Sequence, residues 1–262
     1  MAHPTRVVSS ADGVPILFDV AGASARAIVF VHGWSCDRTY WREQVGHFAD
    51  RYRVVAIDLA GHGASGDGRV AWTMPAFGED VVAAVEALEL DGLVLVGHSM
   101  GGDVIVEAAL RLPGRVSGLV WVDVYRTLGA RGTAFDIEEF MRPFRDDFVP
   151  STRNFVRSMF TTDADPELVE WIAADMSSAP PEIALDAMRH ALGNEDAVVA
   201  GLRELRVRVV ALNPDYRPTD EEALGRHGVE TVLMPGVGHF PMLEAPAAFN
   251  RMLDGRFDEL FD

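Results

Sequence analysis

A serine set between two glycines, in the run Gly97-His98-Ser99-Met100-Gly101, is the part of this sequence best suited to nucleophilic chemistry. The apolar run Leu93-Val94-Leu95-Val96 leads into it and a helix-like segment from Gly102 to Leu110 leads out, so strand, tight turn and helix meet at Ser99. That is the context of a G-x-S-x-G nucleophile elbow. The turn holds the serine at a strained backbone angle, and side chains at the flanking glycines would strike the neighbouring strand or helix.

A hydroxyl is a poor nucleophile at neutral pH, so it needs a base within hydrogen-bond reach and donors for the oxyanion that forms. The segment Val29-Phe30-Val31-His32-Gly33-Trp34 reads as a strand entering a glycine loop, which makes the N–H of Trp34 a candidate donor beside the N–H of Met100. Further on, Val232-Leu233-Met234-Pro235-Gly236-Val237-Gly238-His239-Phe240-Pro241 is a late strand followed by a glycine-rich loop that delivers one histidine. His239 is the candidate general base. His98 is turned away from the serine by the geometry of the turn, and His32 and His62 sit in glycine loops where structural roles suffice.

The elements that must position these residues follow from periodicity. Apolar or alternating runs bounded by glycine turns predict strands over 5–9, 15–20, 27–32, 52–58, 93–97, 116–123, 207–212 and 231–235. The later strands are short and apolar, as in a largely parallel sheet buried on both faces, while the first two suit an antiparallel hairpin at its edge. A helix is predicted over 74–88, where Val81, Val82, Val85 and Leu88 share a face.

Between residues 125 and 200 strand signals vanish and phenylalanine, methionine and acidic residues take over, which predicts a helical insertion. Phe140, Met141, Phe144 and Phe148 recur at helical spacing, and Pro180-Pro181 ends one helix before 182–192 begins another. Such stripes serve self-packing; they also suit a lid over an apolar pocket, with Phe140, Phe144, Met159 and Trp171 as candidate pocket residues. The division is then a core of residues 1–124 and 201–262 with a lid of residues 125–200.

Composition narrows the partners. With 262 residues and 48% hydrophobic content the chain can bury a full core. The formal charge of −17 disfavours nucleic acid and anionic membrane surfaces. No apolar stretch is long enough to span a bilayer and residues 1–10 lack a signal pattern, so a cytoplasmic location is expected. The single cysteine, Cys36, precludes an intrachain disulfide and reads as a small buried hydrophobe. A metal site lacks its ligand motif, and no phosphate-binding glycine loop is present.

Taken in order, the His-Gly loop, the Gly-His-Ser-Met-Gly elbow, the helical insertion and the late Gly-His-Phe loop resemble the α/β-hydrolase superfamily over nearly the whole chain. The stretch Asp58-Leu59-Ala60-Gly61-His62-Gly63-Ala64-Ser65 is similar to the family's Asp-x-Pro-Gly-His-Gly-x-Ser loop, with alanine at the proline position. The resemblance implies an α/β fold with a mostly parallel eight-stranded sheet flanked by helices, a lid after the sixth strand, a Ser-acid-His triad and no cofactor. The family usually places the acid after the seventh strand, where this chain reads Asn213-Pro214-Asp215-Tyr216-Arg217-Pro218-Thr219-Asp220. Asp215 is the nearest match, and Asp123, at the end of the sixth strand, is the alternative; Asp220 suits a helix cap. Relatives that open epoxides or remove halides place aspartate at the nucleophile, a mechanism that Ser99 excludes.

The expected function is therefore hydrolysis of an ester-like bond in a small, mainly apolar substrate through an acyl-enzyme. Cleavage of a lactone or of a carbon–carbon bond in a diketone uses the same triad. A ligand-binding protein on the same fold, without turnover, is the alternative outside enzymes.

Overall fold

Eight strands succeed one another along the chain: β1 (Thr5–Ser9), β2 (Pro15–Ala21), β3 (Ala27–Val31), β4 (Arg53–Ile57), β5 (Leu93–His98), β6 (Val116–Val122), β7 (Arg208–Pro214) and β8 (Val229–Met234). In this computed structural model, which describes residues 4–129 and 136–261, they form one sheet in the order β1-β2-β4-β3-β5-β6-β7-β8. β1 and β2 make the antiparallel edge hairpin, β2 meets β4 antiparallel, and every later pairing is parallel. The central strands are buried along their length, β3 and β5 without an exposed residue, because parallel strands linked by helical crossovers are covered on both faces.

Eleven helices are described: α1 (Arg42–Phe48), α2 (Met74–Ala87), α3 (Met100–Arg111), α4 (Ile137–Asp146), α5 (Phe148–Arg157), α6 (Pro166–Met176), α7 (Pro181–Leu192), α8 (Glu195–Glu204), α9 (Glu221–Gly225), α10 (Pro241–Glu244) and α11 (Pro246–Phe261). α1 and α11 pack together and on the sheet; α2, α3 and α8 form a second group against it. Asp136 and Asp165 cap α4 and α6 by accepting first-turn N–H groups, and Pro166 and Pro181 sit where a helix start tolerates proline.

The strands match the sequence expectation within a residue except at the start of β8, which begins two residues early at Val229, and at the carboxyl end of β7. There the predicted end at residue 212 is exceeded, and pairing continues to Pro214 opposite Met234. Between β6 and β7 the described residues hold helices α4 to α8 and no strand. The last of these, α8, runs across residue 200 and packs on α3.

Candidate active site

Ser99 follows β5 directly and precedes α3, with φ 50° and ψ −122°. A non-glycine residue in that region costs ~1–3 kcal/mol, so the surroundings must impose it. They do so from both sides: the Ser99 N–H donates to the carbonyl of Val122 at 3.0 Å, and the Ser99 carbonyl accepts from Gly102 at 2.9 Å. The neighbouring glycines are steric necessities. A Cβ on Gly97 would lie 2.3 Å from the Gly101 carbonyl oxygen, and one on Gly101 would lie 2.5 Å from that of His32.

Register decides which carboxylate meets His239. His98 pairs with Val122, so Ser99 and Asp123 are each the first residue past the end of adjacent parallel strands. Asp123 also has positive φ, 48°. Its Oδ2 lies 2.7 Å from His239 Nδ1; a carboxylate only accepts, so Nδ1 carries the proton and Nε2 is left basic. Tyr216 donates its hydroxyl to the same oxygen at 3.1 Å, and Arg126 Nη2 donates to Oδ1 at 2.6 Å. Burial and the adjacent Asp123 carboxylate push the Tyr216 phenol upward, so it stays a donor.

Asp215, the acid preferred from sequence, lies elsewhere. Since β7 runs to Pro214, Asp215 falls past the level of Asp123 and turns toward the β8 side, where its exposed carboxylate accepts from the Gly236 N–H at 3.1 Å. Asp220 caps α9 through the Ala223 N–H.

His239 is fixed by its main chain. Its N–H donates to the Met159 carbonyl at 2.9 Å, and its own carbonyl accepts from His98 Nε2 at 2.8 Å. Burial, with His239 next to it, holds the His98 ring well below the usual histidine range, so His98 is a neutral tether. The flanking amides of Gly238 and Phe240 donate to the two carboxylate oxygens of Glu244 at 2.8 and 2.9 Å. Sequence reasoning missed Glu244, Tyr216 and Arg126. The available signals were an acid five residues after His239 and a tyrosine adjoining Asp215.

The Trp34 and Met100 main-chain N–H groups donate to no protein acceptor among the described residues. Met100 opens α3, where first-turn N–H groups have no partner in the helix. The Trp34 indole donates to the Ala184 carbonyl of α7 at 2.7 Å, and its ring meets Phe144, Phe148 and Phe155 edge-on at about 6 Å. The helices after β6 thus dock directly on the loop that carries this donor.

Ser99, His239 and Asp123 line one cavity of about 410 Å³. Phe140 and Met159 line it too. Phe144 instead lies behind that wall, buried against Trp34 and Phe155, and Trp171 is outside, 40% exposed, against Tyr40 and Arg42. Cys36 borders the cavity as a buried thiol, which burial above all pushes well up and out of nucleophilic range. His32 and His62 are buried; His32 Nε2 accepts from the Leu59 N–H, and His62 Nδ1 donates to the Ala60 carbonyl. No group of residues suited to hold a metal ion occurs among the described residues.

Residues 28–252 match the model of the alpha/beta hydrolase family, and the chain belongs to that family. A non-heme chloroperoxidase of Streptomyces lividans is 37% identical over 118 residues, 44% of this chain and 43% of that protein, so the match spans less than half of that relative. The 3-oxoadipate enol-lactonase 2 of Acinetobacter baylyi is 24% identical over 254 residues, 94% of each chain. A malate-bound thermophilic esterase from Thermogutta terrifontis superposes with a TM-score of 0.84 at 22% identity, over 99% of this chain and 100% of that one, and shares the fold. No helix among the described residues is long and apolar enough to cross a membrane.

Proposed function

We propose that the chain hydrolyses a carboxylic ester or lactone of a small, mainly apolar substrate through an acyl-enzyme on Ser99. The observation that carries this reading is the shared cavity: a strained serine at a helix start and a buried His239–Asp123 pair open onto the same space. In the first half-reaction Ser99 Oγ attacks the acyl carbon and His239 Nε2 takes its proton, while Asp123 stabilises the imidazolium through Nδ1–H. The N–H groups of Trp34 and Met100 hold the oxyanion. His239 then returns the proton to the leaving alkoxide; a water deprotonated at the same Nε2 attacks the acyl carbon, the bond to Ser99 Oγ breaks, and Oγ takes the proton back from Nε2 as the acid leaves. Ser99 makes no hydrogen bond through its hydroxyl among the described residues, so the contact to His239 closes as substrate arrives.

Lactone cleavage follows the same steps with the leaving alcohol retained on the acyl chain, and the full-length similarity to an enol-lactonase supports including it. The helices from α4 to α7 act as the lid, with Phe140 and Met159 as its contribution to the pocket wall. A panel of p-nitrophenyl esters of increasing acyl length, with lactones alongside, tests the proposal. Turnover by the wild type and a loss of roughly 10³-fold or more in Ser99→Ala and His239→Ala are expected. No turnover of any member, or retention of more than about a tenth of the rate in Ser99→Ala, a deficit under ~1.4 kcal/mol, would overturn it.

A further inference from the structure

Every carboxylate or guanidinium on the cavity but one makes two or more side-chain hydrogen bonds among the described residues. Asp123 is shared among His239, Tyr216 and Arg126. Arg126 is spent on Asp123 and on the Pro214 carbonyl and Thr219 Oγ1 at 2.9 and 3.3 Å. Asp103 accepts from the Tyr125 hydroxyl and from Asn194 Nδ2. Arg217 is the exception: among the described residues its guanidinium donates once, to the Ser158 carbonyl at 3.2 Å, and has no carboxylate within ion-pair distance.

The group is also held in place. Its guanidinium carbon lies 5.2 Å from the centre of the Tyr216 ring, Tyr216 is anchored on Asp123, and the Arg217 carbonyl is gripped by Arg126. Most of the five guanidinium donors are unused, and they belong to an exposed side chain that borders an otherwise largely apolar cavity. In a chain with 40 acidic against 23 basic residues, a fixed cation at this place offsets the repulsion an anionic ligand would meet.

Building on the hydrolase reading, we propose that Arg217 is a specificity-determining residue that binds a carboxylate at the non-reacting end of the substrate. The substrate class is then an ester or lactone with an apolar middle and an anionic terminus. The planar guanidinium suits a two-point grip on a carboxylate, and partial solvent exposure limits its contribution to roughly a tenfold preference.

Two measurements on wild type and Arg217→Gln test this. Titration calorimetry with pentanoate and pentanamide, equal in size and differing in charge, reads the anion site without turnover. Pentanoate is expected to bind about tenfold tighter than pentanamide, and that ratio is expected to collapse in Arg217→Gln. The ratio of kcat/KM for the p-nitrophenyl hemiester of glutarate to that for p-nitrophenyl pentanoate is expected to fall about tenfold in the variant. A binding preference that is absent, or that survives in Arg217→Gln, or an unchanged kcat/KM ratio, overturns the carboxylate site while leaving the hydrolase intact. A preference lost with Arg217 in a protein that cleaves neither ester upholds the site and overturns the hydrolase reading instead.

Discussion

Replacing Asp123 by asparagine should have a consequence that the hydrogen bonds around it dictate in sign. Oδ1 of Asp123 faces Arg126 Nη2 at 2.6 Å, and a guanidinium can only donate. The asparagine must therefore present its carbonyl oxygen to Arg126 and its NH₂ group to His239 and Tyr216. His239 Nδ1, now opposite a donor, has to accept, which moves the ring proton to Nε2. In that tautomer His239 cannot take the proton of Ser99. The expected loss in kcat is about 10³–10⁴-fold, or ~4–5.5 kcal/mol of barrier, with thermal stability changed far less than activity. Asp215→Asn is the control: the one partner of its side chain among the described residues, the Gly236 N–H, is equally served by an amide oxygen, and the rate should stay within about twofold. Initial rates on a short p-nitrophenyl ester decide between them. An Asp123→Asn variant with more than about a tenth of the wild-type rate, or a crippled Asp215→Asn, would refute this placement of the acid.

Phe140→Ala should shift the preferred acyl length in a p-nitrophenyl ester series by enlarging the cavity, whereas Phe144→Ala, 5% exposed behind that wall, should mainly lower stability by ~3–5 kcal/mol in urea unfolding. In Glu244→Gln an amide NH₂ must face one of the two N–H groups on either side of His239, so stability should fall by ~1–3 kcal/mol and kcat should fall with it; unchanged values for both would mean the loop holds itself. Burial, with His32 beside it, lowers His62 from 6.5 to about 3. The unfolded chain therefore protonates this ring below pH ~6.5 while the folded one does not, and stability should fall as pH drops from there toward 3, by up to ~1.4 kcal/mol per pH unit. Urea titrations at pH 7, 6 and 5 should show a shallower decline in His62→Gln than in the wild type.

The elbow was legible because its requirements are local: two glycines whose Cβ atoms would meet backbone oxygen, and a strand and helix of ordinary periodicity on either side. The sheet was legible for the same reason, since each buried strand is a short apolar run. The carboxylate that meets His239 was not, because its position depends on the register between β6, β7 and β8. Two further paired residues at the end of β7 leave Asp215 past the level of Asp123, and no periodicity in the run from Ala211 to Tyr216 marks where pairing stops. The four pocket residues expected from helical stripes divide in two, since a stripe fixes which residues share a face but not which neighbour covers it. Phe144 is taken up by Trp34, and Trp171 by Tyr40 and Arg42.

The claim that Ser99 is an activated nucleophile is tested most directly by a fluorophosphonate probe, with the adduct located by peptide mass mapping. One adduct per chain is expected, on Ser99, absent from Ser99→Ala and strongly slowed in His239→Ala and Asp123→Asn. An unlabelled wild-type protein, or an adduct on any residue other than Ser99, would contradict the account.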